Sequence, residues 1–155
     1  MSFQLNGLPF EPFAPLFSLN DQALSALDAR RVVADEKPGY PCRVSLADAD
    51  IGEELLLLPF AHQPASSPYR ASGPIFVRKA ARHSKLAAGV IPDYVTLRLI
   101  SVRAYDAAHL MIDAAVCDGK DAASEILRMF ANPQVAYIHL HNAKRGCFSC
   151  RVDRI

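Results

Sequence analysis

Residues 135–152, VAYIHLHNAKRGCFSCRV, constrain the fold more than any other stretch. Apolar and polar residues alternate from 135 to 141, and strand side chains alternate faces with period two. Ala136, Ile138 and Leu140 therefore share a core-facing side. Tyr137, His139 and His141 form a row on the other side, spaced about 7 Å apart. Asn142 and Gly146 supply the backbone angles a turn needs. On the return strand Phe148, Cys150 and Val152 share one face, and Cys147, Ser149 and Arg151 share the other. Such a hairpin commits the chain to antiparallel pairing. Its polar row reads either as a solvated face or as a site built from His139, His141, Asn142, Lys144 and Arg145. Antiparallel sheets commonly wet one face, which favours the first reading.

The rest of the chain agrees with an α+β fold. At 155 residues it is expected to form a single domain, 1–155. Residues 7–15 are too broken by proline for a helix. Asn20 or Asp21 caps a short helix. Strands are expected at 31–34, 42–46, 54–60, 75–79, 99–105 and 111–117. A further helix follows Pro92, and the best one spans about 122–131, with a stripe of Ala123, Ile126, Leu127 and Phe130. The expected architecture is one curved, mostly antiparallel or mixed sheet of six or seven strands, with two or three helices packed on it. With five residues in the 106–110 connection, Arg103 would face Asp113, and Ile112, Ala114 and Val116 would face the core.

Charge is unevenly distributed. Residues 1–60 hold 9 acids and 4 bases, and residues 61–155 hold 7 acids and 13 bases. An anionic partner therefore belongs with the second part. The bases are dispersed and no nucleic-acid motif accompanies them, which argues against nucleic acid. No apolar run approaches the ~20 residues of a membrane span. The N-terminal residues lack the basic-then-apolar pattern of a secretory signal, and 4 cysteines do not make a disulfide framework. A cytoplasmic protein with reduced thiols is expected. Its oligomeric state is open.

Few motifs carry chemistry. Cys147 and Cys150 match C-x-x-C, but on a strand they lie on opposite faces, about 10 Å apart, too far for a disulfide. A structural zinc wants four ligands, and no second such pair exists. His139 and His141 share a face and could ligate an ion if His62, Asp113 or Cys42 supplied a third group. Nothing requires this, so neither a metal nor a cofactor is expected. The common nucleotide, dinucleotide, hydrolase and metalloprotease signatures are absent. Cys42 follows a turn stiffened by Pro38, Gly39 and Pro41. Beside Arg43 it reads as an activated thiol, or more simply as a buried apolar residue. Residues 61–74 read as a long loop, and such loops are often functional. Arg70 in it suits bidentate anion contact.

Three segments together, 31–46, 67–72 and 137–147 with 151–154, resemble a bacterial family known only as domain of unknown function 1203. The resemblance covers nearly the whole chain. It implies a small bacterial protein and carries over no activity and no catalytic residue.

The leading expectation is therefore binding of a small anionic metabolite between the 61–74 loop and the 135–152 hairpin. Arg70, Arg103, Lys144 and Arg145 would supply charge, and Tyr69, His139, His141 and Asn142 hydrogen bonds. One alternative is an acyl-transfer or hydrolytic enzyme with Cys42 as nucleophile and His139 or His141 as base. The other is a protein-interaction module without a small-molecule site.

Overall fold

The computed structural model describes residues 1–155. In chain order it contains β1 (Phe3–Asn6), a 3-10 turn (Ala14–Ser18), α1 (Asp21–Ala26), β2 (Arg30–Val33), β3 (Pro41–Cys42), β4 (Ala47–Asp48), β5 (Glu54–Gln63) and β6 (Ala71–Arg78). Then come α2 (Asp93–Thr96), β7 (Leu99–Tyr105), β8 (Met111–Asp118), a second 3-10 turn (Gly119–Asp121), α3 (Ala122–Phe130), β9 (Tyr137–Asn142) and β10 (Phe148–Arg154). The α+β class and three helices agree with expectation. The single sheet does not, because the strands form two five-stranded sheets, β1-β10-β9-β7-β8 and β2-β5-β6-β3-β4.

The reason lies in the Leu-rich run of β5. Leu55, Leu56 and Leu58 are buried, and Leu56 and Leu58 join Ile75, Val77, Cys42 and Val44 in a core of their own. A strand that buries both faces needs cover on both sides, so β5 and β6 extend into a long hairpin with its own neighbours. Only residues 64–70 connect the two strands. The expected 61–74 loop is correspondingly shorter, since each end of it is strand. The first sheet packs Ile100, Val102, Ile138, Leu140 and Val152 against Tyr94, Ile126, Met129 and Phe130 of the helices. On α3 the buried stripe runs through Ala122, Ile126, Met129 and Phe130. Leu127, expected in it, is half-exposed.

A bulge changes the β7–β8 register at Ala104 and Tyr105. Arg103 pairs across from Ala114, and Asp113 pairs across from Ala104. A one-residue slip moves every side chain to the other face, so Ile112 and Val116 turn outward, 39% and 63% exposed. Asp113 instead binds Arg128 of α3 at 3.0 Å. No helix is long and apolar enough to cross a membrane.

Asn20 caps α1 as its sequence position implies, its side chain accepting a hydrogen bond from the Ala23 N–H at 2.9 Å. Asn20→Ala is expected to lower stability by about 1 kcal/mol. Urea unfolding of the two proteins checks this, and equal midpoints would mean that α1 is held by packing alone.

Candidate functional site: a basic cavity beside a histidine cluster

A cavity of about 570 Å3 opens where the two sheets meet. One wall is the β9–β10 turn, with Asn142, Lys144, Arg145 and Cys147. Another is the 36–43 segment, held by its prolines, and the α2–β7 junction adds Arg98. The floor is the outer side of β5 and β6, at Leu57, Pro74 and Phe76.

Arg43 sits at the junction and is 1% exposed. Its Nε donates to the Phe148 carbonyl at 2.8 Å, and its Nη1 donates to the Pro41 carbonyl at 2.5 Å. Nη2 donates to the Cys147 sulfur at 3.1 Å. It has three hydrogen bonds and no carboxylate partner. A buried guanidinium normally has one, because neutral acceptors offset only part of the cost of desolvating the charge. Arg98, by contrast, is neutralised by Asp48 through two bonds of 2.5 and 2.9 Å. Lys144 and Arg145 are exposed and form no ion pair. Three uncommitted positive charges thus surround one cavity, and Glu36 is the only acid lining it besides them. The Asn142 Oδ1 is buried without a partner. A second hollow of about 450 Å3 beside α1 is also charged, but its Arg31 is paired with Glu54 and Asp21.

The polar row of β9 is not wet. Tyr137, His139 and His141 are 4%, 3% and 1% exposed. The end of β5 folds over them, so that the His62 ring lies 6.3 Å from that of His139 and 5.0 Å from that of His141. Phe148 stacks on His62 at 5.5 Å. The Tyr137 hydroxyl accepts from Gln63 at 2.8 Å and meets the His109 Nδ1 at 2.7 Å. Arg103 lies across from His139 on β7 and donates to the Ser101 hydroxyl. Burial, with the charges of His141, His62, Arg151 and Arg103 behind it, pushes His139 down to about 3. Burial, helped by Arg103, His62 and Arg43, brings His141 down to about 4, against the raising effect of its hydrogen bond to the Gly146 carbonyl. Burial and Arg103 lower His62 as well. All three rings are therefore neutral at pH 7. One nitrogen of each, His62 Nδ1, His139 Nδ1 and His141 Nε2, is buried without a partner. No group of three or more His, Cys, Asp or Glu side chains is arranged to hold a metal ion.

The fold divides the candidate residues between two places. Asn142, Lys144 and Arg145 line the cavity. His139, His141 and Arg103 belong to the cluster, and Tyr69 meets it edge-on through Tyr105 at 6.1 Å. Arg70 is exposed on the 64–70 connection and does not line the cavity. Cys42 is fully buried and accepts a hydrogen bond from the Arg78 N–H, with no bond to an imidazole. A thiol sealed from solvent and without a base lacks the arrangement that nucleophilic catalysis requires. Arg43, Arg98 and Cys147, with Glu36 and the apolar Leu57, Phe76, Leu97 and Leu99, are among the cavity residues that sequence reasoning did not place in the site. The available signal was a cation inside an otherwise apolar alternation, Cys42, Val44 and Leu46, directly after a proline-stiffened turn.

The model of a family described as protein of unknown function (DUF1203) matches residues 39–154. The chain belongs to that family. The DUF1203 match takes in most of the cavity, from Gly39 to Cys147, and all of the histidine cluster. It leaves out β1, the proline-rich arm and α1. No curated protein and no solved structure matches the chain.

Proposed function

We propose that this protein binds a small anionic molecule in the cavity between the β9–β10 turn and the 36–43 segment. The observation that carries the reading is Arg43, a buried guanidinium with a cavity beside it and no carboxylate to balance its charge. An anion there would supply the missing counter-charge beside a guanidinium that is itself shielded from water, where charged hydrogen bonds are strong. Lys144 and Arg145 on the exposed turn would draw the anion in and add contacts that salt weakens. Asn142 adds a polar group at the same wall.

Calorimetry with phosphate and with small carboxylates, at low and at high salt, tests this. The expected result is binding that weakens as salt rises. The double variant K144A/R145A should bind about tenfold more weakly, an effect of roughly 1.4 kcal/mol, with an unchanged melting temperature. Failure of every phosphate and carboxylate to bind at low salt would overturn the reading.

A further inference from the structure

We infer that the ligand is amphipathic, an anionic head joined to an apolar body several carbons long. This rests on the anion reading above and narrows it. The cavity has two unlike sides. The turn and Arg43 are basic, and the facing surfaces carry Leu57, Phe76, Leu97 and Leu99, with Arg98 among them already neutralised by Asp48. Leu57 and Phe76 pair across β5 and β6 and point away from the core formed by Leu56, Leu58, Ile75 and Val77. The same face of β5 begins in a small core of Leu55, Ala34 and Ala49, against which Phe76 is partly packed. Leu57 belongs to no core, and both it and Phe76 line the cavity. The Tyr40 ring packs against Phe76 at 5.2 Å and helps to fix it in place. At the α2–β7 junction Leu97 and Leu99 line the same cavity, yet they are 60% and 44% exposed. They cover no core, and an apolar ligand body would cover them.

Size points the same way. The cavity, about 570 Å3, falls within the ~300–1,000 Å3 range of pockets that enclose whole organic ligands. Phosphate or acetate alone would leave most of it filled with water against leucine and phenylalanine. Glu36 stands next to Gly39 on the proline-lined wall. It repels a second anionic group on that side and so favours a ligand charged at one end only.

The probes are acetate, butanoate, hexanoate and octanoate, with hexanol as the uncharged control and the eight-carbon α,ω-dicarboxylate as the doubly charged one. Binding to the whole protein is read by calorimetry at low salt. Affinity is expected to rise about two- to fourfold per added methylene, as burial of a CH2 predicts. Octanoate should bind at least tenfold more tightly than the dicarboxylate or hexanol. In L97S, whose substituted side chain is mostly exposed and covers no core, the gain per methylene should shrink. If acetate binds as well as octanoate, the amphipathic ligand is overturned and the anion reading stands. If hexanol binds as well as hexanoate, the anion reading falls and the apolar wall alone is supported. If no probe binds, the amphipathic ligand is overturned, and the anion reading falls with it only if phosphate also fails to bind. An unchanged gain per methylene in L97S would overturn the assignment of the tail to this wall.

Discussion

Taking the protein from pH 7 to pH 5 is expected to remove about 3 to 4 kcal/mol of its unfolding free energy. The cause is the histidine pair on β9. In the folded protein His139 titrates at about 3 and His141 at about 4, both driven down first by burial. Once unfolded, each returns to its ordinary value near 6.5. Between pH 6.5 and the folded values the unfolded chain takes up protons that the folded protein refuses. Stability therefore falls as pH falls, by up to about 1.4 kcal/mol per pH unit for each ring. The contribution is fully present above pH 6.5 and is lost progressively down to about pH 4 for His141 and about pH 3 for His139. His62, also lowered, adds in the same direction. Ion pairs hold the carboxylates of Glu54 and Asp50 below their ordinary values, so in the folded protein they resist protonation and leave this window mainly to the imidazoles. A small domain has only about 5–15 kcal/mol of stability in total, so the change is a large share of it. Urea unfolding at the two pH values measures it. H139F, which keeps a ring in the cluster, should remove about half of the pH dependence. A loss under 1 kcal/mol in the wild-type protein would mean that the rings are reached by water and titrate normally.

The same pair shows where reading the sequence stopped. Alternation correctly placed Tyr137, His139 and His141 on one face and Ile138 and Leu140 on the other. It could not say what covers the polar face, because a wet face and a face closed by a distant segment have the same period of two. The cover comes from His62 and Gln63, on a strand more than seventy residues earlier, and nothing local at 137–141 announces it. The β7–β8 register failed for a different reason. The strands and the connection were located, but one bulged residue, Ile112, exchanged the two faces of β8, and a bulge without glycine leaves little trace in composition. The division into two sheets was partly visible in the four consecutive leucines of β5, which require cover on both faces. The cavity was least visible of all. Arg43 and the turn that supplies Cys147 and Phe148 lie over a hundred residues apart in the chain, and only the fold brings them together.

Arg43→Met is expected to cost about 2 to 4 kcal/mol of stability without ligand and to weaken anion binding at least a hundredfold. Two opposing effects set the first number. Removing the guanidinium relieves the protein of a desolvated charge, worth several kcal/mol. It also deletes three charge-assisted bonds at about 1.5–3 kcal/mol each and strands the carbonyls of Pro41 and Phe148 in a buried setting. The second effect is larger, because the fork of Arg43 meets three acceptors at 2.5 to 3.1 Å and methionine meets none. The loss of binding follows from the missing counter-charge alone. Arg43→Lys separates the two effects. It keeps the charge, but an ammonium cannot reproduce the planar fork, so it should recover part of the affinity and little of the stability. Denaturation with and without phosphate, on all three proteins, reads both quantities at once. Wild-type affinity in R43M would remove Arg43 from the site. An R43M protein that is more stable than wild type and no longer binds would correct the sign of the first term and strengthen the functional case, since a charge that destabilises the empty fold has a role only in the occupied one.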